Sequence, residues 1–221
     1  GNALRTKPCR HLLFSRGNKV MNTTMLGGGS PLNKFKEIDV HLSRASATVH
    51  VELDGSDSNG DGSVARPFST FERALSAHVG TTDILTIELG DGDHELPSKS
   101  LVVSRGKVDV TGTGRLVAHE GSHAHVSVDN GFLYIRCAGV VMNGEVPFIW
   151  DIGPKSTVFQ RCPVVCDNKQ SIARFVYSGG AFILRSAVTY NGSESIPLVS
   201  SFSGAHGDVQ IVDATLTNVT E

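Results

Sequence analysis

The sequence predicts an all-β fold, a parallel β-solenoid, and three observations carry that expectation. A short motif recurs through the second half of the chain, each recurrence is built of short β-rich segments broken by Gly or Pro, and only one stretch has convincing helical periodicity. The motif runs Ile135-Arg-Cys-Ala-Gly-Val-Val-Met-Asn143, then Gln160-Arg-Cys-Pro-Val-Val-Cys-Asp167, then Leu184-Arg-Ser-Ala-Val-Thr-Tyr-Asn191, with a fainter copy at Val212-Asp-Ala-Thr-Leu-Thr-Asn218. The closing residues Asn143, Asp167, Asn191 and Asn218 are separated by 24, 24 and 27 residues. Spacing in the mid-twenties suits one coil of a solenoid. A propeller blade needs roughly 40 residues, and the fixed Leu and Asn frame of a leucine-rich repeat is missing.

Taken in order, residues 1–47 read as an extended arm. Eight of the 20 basic residues fall there, the last of them Arg44, and Gly27-Gly28-Gly29-Ser30-Pro31 breaks the segment. Leu12, Leu13 and Phe14 form no periodic face, so the segment reads equally as an arm that gains order on a partner surface and as a plain disordered tail. The solenoid is expected over 48–221. Val49, Val51 and Leu53 alternate with polar residues as in a strand. Asp54-Gly-Ser-Asp-Ser-Asn-Gly-Asp-Gly-Ser63 is a loop by composition. Ser69 and Glu72 have capping-box spacing for a helix near 68–78, with Phe68, Phe71, Ala74, Leu75 and His78 on one face. Ile84–Leu89 reads as a buried strand. Each repeat also holds an earlier strand, at Val126–Val128, Phe148–Trp150, Phe175–Tyr177 and Leu198–Ser200.

In a solenoid each side chain sits above its equivalent one coil below, about 4.8 Å away. Cys137, Cys162 and Ser186 are thus expected to form one internal ladder, and Asn143, Asp167 and Asn191 another, both structural.

Composition removes several function classes. The net charge is −2, from 20 basic and 22 acidic residues, which argues against a general phosphate-binding surface and a nucleic-acid partner. No apolar run approaches the roughly 18–20 residues of a membrane span, and Gly1 to Arg16 is charged where a signal peptide would be apolar. Cys9, Cys137, Cys162 and Cys166 match neither a disulfide framework nor a zinc pattern. Sequons at Asn22, Asn191 and Asn218 are little more than composition yields by chance. Walker loops, nucleotide fingerprints, nucleophile elbows and Cys/His catalytic pairings are not found.

The segment Val51-Glu-Leu-Asp-Gly-Ser-Asp-Ser-Asn-Gly-Asp-Gly-Ser-Val-Ala-Arg-Pro-Phe-Ser-Thr-Phe-Glu-Arg-Ala74, followed by Thr86-Ile-Glu-Leu-Gly-Asp-Gly-Asp-His94, resembles the opening of the pectate-lyase-like β-helix proteins, in the form found in phage tail and tailspike proteins. The specific resemblance covers residues 48–96; beyond it only the coil texture is shared. It implies a right-handed helix whose N-terminal end is plugged by the helix near 68–78, as an exposed core and unpaired edges require; the chain departs from the family in having few coils, about five to seven. No C-terminal cap is evident, which virion spikes solve by trimerising or by continuing into another domain. Gly1 and Glu221 would fit processing by a phage maturation protease that cuts after glutamate.

Four groups of residues could carry chemistry. Asp57, Asn59 and Asp61 give the first half of a calcium loop, but Phe68 occupies the position of the bidentate glutamate, so the expectation is turn formation. Asp91, Asp93, His94 and Glu95 cluster after a strand, and glycosidases need paired carboxylates; they lie at the first coil, where a long glycan groove has no room. Asp151, Asp167 and Glu194 sit in the middle coils with Arg136, Arg161 and Arg185 in a possible row, which must face solvent or meet acids. His123 and His125 would share a strand face with His119 nearby, two ligands short of a metal site. Trp150 reads as coil packing. No catalytic residue, cofactor or metal is expected. The expectation is a non-catalytic structural protein of a tailed-phage virion (fibre, spike or capsid decoration), a homotrimer that contacts other virion proteins through residues 1–47. The rival is a depolymerase acting on host surface glycan, since the fold hosts both roles.

Overall fold

The structure is a computed structural model, and it describes residues 21–22, 46–78, 84–96, 101–103, 106–118, 126–143, 149–167, 170–191, 196–202 and 204–220. These residues form a parallel β-solenoid with three sheet faces. The first face stacks, edge to edge, Ser46–Val51, Ile84–Leu89, Lys107–Gly112, Phe132–Ile135, Thr157–Gln160, Ala181–Leu184 and Asp208–Ala214, with Met21–Asn22 added antiparallel beyond the last. The second face stacks Asp93–Glu95, Arg115–Ala118, Gly139–Met142, Val164–Cys166, Val188–Tyr190 and Leu216–Thr217. The third stacks Leu101–Val103, Val126–Val128, Ile149–Ile152, Ala173–Phe175 and Val199–Ser201, and these five strands bound about four complete turns.

The period-2 alternation of each strand decides what faces inward. In Ile84–Leu89 the residues Leu85, Ile87 and Leu89 are buried while Glu88 is exposed. The register then stacks equivalent inward residues, as in Leu85, Val108, Leu133, Val158 and Phe182 on successive coils. Each coil alone would bury little; stacking makes one continuous core, the solution available to a repeat of this size.

The recurring sequence motif turns out to be a corner. Ile135 ends a first-face strand, Arg136, Cys137 and Ala138 turn, and Gly139–Met142 begins the second face. The first-face strands ahead of the corner were only partly legible, so a coil has three strands where two were expected. The third-face strand at Val126–Val128 falls where expected, but the others shift to Ile149–Ile152, Ala173–Phe175 and Val199–Ser201. Pairing with the coil below fixes these limits: Ile149 sits between Val126 and Ala173, which an apolar run cannot reveal by itself.

The first strand begins at Ser46, slightly before the expected Thr48. The helix, α1, spans Phe71–His78 and lies against Ser46–Val51 and Ile84–Leu89. Phe68, Phe71, Ala74 and Leu75 are buried and join the core. The helix is capped one residue later than the Ser69/Glu72 box predicts: Thr70 Oγ1 accepts from the Arg73 amide at 3.1 Å. Asp57 braces this cap, accepting from the Thr70 hydroxyl (2.6 Å) and from the amides of Ser69 and Thr70 (2.8 and 3.1 Å). Of the expected arm, only Met21–Asn22 and the first residues of the Ser46–Val51 strand are described; the remainder of 1–47, with Cys9, lies outside the described residues.

Candidate functional site

The expected calcium loop is a scaffold for the helix start. Asp57 Oδ1 accepts from the amides of Ser69 (2.8 Å) and Thr70 (3.1 Å), and its Oδ2 accepts from the Thr70 hydroxyl (2.6 Å). Burial alone would raise the pKa of Asp57, but the bonds from Thr70 and Ser69 outweigh it and hold the carboxyl below its ordinary range. Asp61 accepts from the Ser63 amide at 3.1 Å and pairs with Arg66. Asn59 contributes its amide to Ser56 Oγ at 3.1 Å. The two carboxylates are thus spent on separate turns and do not converge.

The group at the first coil is likewise divided. Asp93 receives a bidentate fork from Arg115, its partner one coil on, at 2.7 and 2.8 Å. Asp91 accepts from the Thr113 hydroxyl. Glu95 is exposed, whereas His94 points into the solenoid, almost wholly buried, with Nε2 2.8 Å from the Gly90 carbonyl and Nδ1 without a partner among the described residues. Strand alternation therefore separates His94 from the acids on either side of it.

Arg136, Arg161 and Arg185 occupy equivalent corner positions, each donating its amide to the coil below, and all three side chains are exposed. Only Arg136 meets an acid among the described residues: it grips Asp109, itself almost buried, at 2.7 and 2.9 Å. That hydrogen-bonded pairing raises the Arg136 pKa against the opposing effect of burial. Lys107 stands 3.9 Å from Asp109 and 4.3 Å from the Tyr134 ring centroid, and Tyr134 stacks on Phe159 at 4.4 Å.

Of the two expected internal ladders, that of Cys137, Cys162 and Ser186 is buried at its cysteines, whereas Asn143, Asp167 and Asn191 line up at the surface, with Asp167 and Asn191 exposed. Cys137 and Cys162 have their sulfurs 3.8 Å apart, and Ser186 Oγ donates to the Cys162 carbonyl at 2.7 Å. The hydrogen bond to Cys137 and burial push the Cys162 thiol far up. Burial also pushes Cys166 up to about 12. On the neighbouring ladder Asn191 donates to Asp167, and Asn143, with its side-chain amide in the orientation that satisfies both its oxygen and its nitrogen, donates to Asp167 (2.9 Å) and to the Met142 carbonyl (3.0 Å). Asn218 donates to the Tyr190 carbonyl at 2.9 Å. Two of the three sequon asparagines, Asn191 and Asn218, are therefore engaged in coil contacts.

Sequence reasoning missed Asp109, Arg115 and Gln160. The first two could have been found by searching for opposite charges one coil apart: Asp93 and Arg115 are 22 residues apart, Asp109 and Arg136 27. Gln160 is fully buried, donating to the Cys162 carbonyl at 3.0 Å while its Oε1 has no partner among the described residues, and nothing in its sequence context marks it as inward. The backbone of Trp150 and Asp151 lies in a third-face strand; their side chains, with Glu194, His119, His123 and His125, lie outside the described residues. Among the described residues no three His, Cys, Asp or Glu are placed to hold a metal ion, and no helix is long and apolar enough to cross a membrane.

Compared with known proteins, the chain matches no family model, no curated protein and no solved structure. Its chemistry must be read from its own geometry. Ionic, hydroxyl and amide pairs join successive coils at Asp91, Asp93, Asp109 and Asp167.

Proposed function

We propose that this chain is a non-catalytic structural element of a tailed-phage virion, a fibre, spike or capsid-decoration module. In this reading the solenoid is a right-handed β-helix of the pectate-lyase-like kind, and α1 plugs the end nearest Ser46–Val51. Right-handed crossover is the strong rule for parallel strands joined within a sheet. The plug is supported by the burial of Phe68, Phe71 and Leu75 against the first two strands. The observation that carries the structural role is the use of acidic groups: Asp57, Asp61, Asp91, Asp93, Asp109 and Asp167 all serve turns or coil-to-coil bonds. A depolymerase of this fold would need at least two of its acids free and facing one another across a substrate groove.

The module is a homotrimer that attaches to neighbouring virion proteins through residues 1–47. The experiment is a solution mass by light scattering, followed by incubation of the same sample with capsular polysaccharide and lipopolysaccharide and a count of new reducing ends and unsaturated uronates. A trimer without cleavage is expected. Glycan cleavage would overturn the non-catalytic reading in favour of a depolymerase, and a monomer at all concentrations would overturn the trimer.

A further inference from the structure

The described cysteines, Cys137, Cys162 and Cys166, are all buried, and two of them face each other. Cys137 and Cys162 each lie two residues past a paired position, because Ile135 is in register with Gln160, and the Arg161 amide donates to the Ile135 carbonyl at 2.8 Å. They are the same corner residue on successive coils, and their sulfurs stand 3.8 Å apart. Strands of adjacent coils run about 4.8 Å apart, inside the Cα separation of about 4.4–6.8 Å that a disulfide spans. Rotation of the two side chains can therefore close the sulfur gap with little movement of the coils.

The surroundings fix this pair and set the other sulfur apart. Fully buried Gln160 donates through Nε2 to the Cys162 sulfur at 3.1 Å and to the Cys162 carbonyl at 3.0 Å, which restrains that side chain. The hydrogen bond from Cys162 holds the Cys137 thiol below its ordinary range against the opposing effect of burial, so Cys137 is the better nucleophile of the two. Cys166 stacks instead on Met142, Sγ to Sδ at 3.8 Å, and a thioether forms no disulfide. On the next coil Ser186 takes the place of Cys162, so the sulfurs of this ladder end as a pair.

We propose that Cys137 and Cys162 are a modification site, which a small peroxide oxidises to a disulfide that staples two successive coils. The Cys137 thiolate attacks one oxygen of hydrogen peroxide, the O–O bond breaks, and the departing hydroxide takes up a proton as water, leaving a sulfenic acid on Cys137. The Cys162 sulfur then attacks the Cys137 sulfur, the S–O bond breaks, and the Cys162 proton leaves with the hydroxyl group as a second water. Two thiols are oxidised and one peroxide is reduced. The staple goes beyond the virion role and does not depend on it.

The test uses the full chain in a Cys9→Ser background. The folded protein is exposed to hydrogen peroxide, remaining thiols are alkylated in denaturant, and tryptic peptides from the monomer band of a non-reducing gel are sequenced by mass spectrometry. A peptide pair joined through Cys137 and Cys162 is expected, and a thiol reductant should separate it. A link through Cys166, a link that forms only in urea, or no link within the chain would overturn the proposal. The melting temperature gives a second reading. The closed loop spans 25 residues, so oxidation should raise Tm by about 5–10 °C over the reduced form, whereas Cys137→Ser treated alike should melt unchanged. A linked chain that melts no higher, or an equal gain in Cys137→Ser, would overturn the staple.

Discussion

Replacing Gly112 by alanine tests how tightly one coil is set on the next. Gly112 closes the first-face strand Lys107–Gly112 with a φ of +108°, a region that side chains avoid. An added Cβ would stand 2.1 Å from the Leu89 carbonyl oxygen and 2.7 Å from its nitrogen. Both atoms are main chain in the coil below, so no side chain can swing aside. The same carbonyl accepts from the amides of Thr113 and Gly114 at 3.0 and 3.3 Å, and any shift that relieves the clash loosens those bonds. The backbone conformation costs about 1–3 kcal/mol, and forced displacement of packed structure about as much again. Gly204 is the control: its φ is +79°, but nothing lies within 4 Å of an added Cβ, so only the conformational cost of about 1 kcal/mol applies. For a chain of this size each kcal/mol shifts the melting temperature by about 2–4 °C. Gly112→Ala should therefore melt about 5–20 °C below the parent, and Gly204→Ala within a few degrees of it, as followed by far-ultraviolet circular dichroism and by urea titration. Equal losses in the two variants would refute the argument from coil-to-coil contact.

Three further outcomes are expected. Arg136→Ala strips the nearly buried Asp109 of its two strongest bonds and should cost about 1–3 kcal/mol in urea, whereas Arg161→Ala, at the equivalent corner but without a carboxylate among the described residues, should stay within about 0.5 kcal/mol; matching losses would remove Asp109 from the account. Because the folded pKa of Asp57 lies below its unfolded value of about 3.9, its contribution is present above that pH and is lost as pH falls through the folded value. Asp57→Asn should thus lower stability at neutral pH and flatten the acid limb of a stability-against-pH curve, and an unaltered limb would count against the helix-start role. In a Cys9→Ser background, Cys137, Cys162 and Cys166 are buried thiols that should react with an aromatic disulfide reagent only at the rate of unfolding; fast labelling of the native protein would contradict their burial.

The solenoid was legible because a corner repeats better than a strand. Arg136-Cys-Ala-Gly and its later copies combine a turn, a small inward residue and the start of the next strand, and each has to match its neighbour one coil away. Strand limits were less legible, since Ile149–Ile152 and Ala173–Phe175 are bounded by pairing with other coils, not by local composition. The cap lies at Thr70 and not at Ser69, and its brace, the bond from the Thr70 hydroxyl to Asp57 thirteen residues earlier, has no signature in the local S-x-x-E spacing. The candidate chemistry was legible as residue types but not as partners. Asp93 and Arg115 look unrelated until the coil period is imposed on charge as well as on apolar residues. The burial of Phe159 had no local signature at all, because alternation alone assigns that position to solvent.

The two ends of the stack are not equivalent, and this gives its unfolding a direction. In the two strands that α1 lies against, the inward residues Val49, Val51 and Ile87 are buried, while in the coil at 208–220 the inward Val209, Ile211 and Leu216 are only partly covered. Coils that touch only their neighbours open from whichever end releases the least. Amide hydrogens should therefore exchange in sequence, first in Asp208–Ala214, then in Ala181–Leu184, and last in the strands against α1. A pull applied beyond Thr220 would peel the stack one coil at a time, each step resisted by its own cross-coil pair, whereas a pull applied at Ser46 would have to dislodge the helix before the first strand could move.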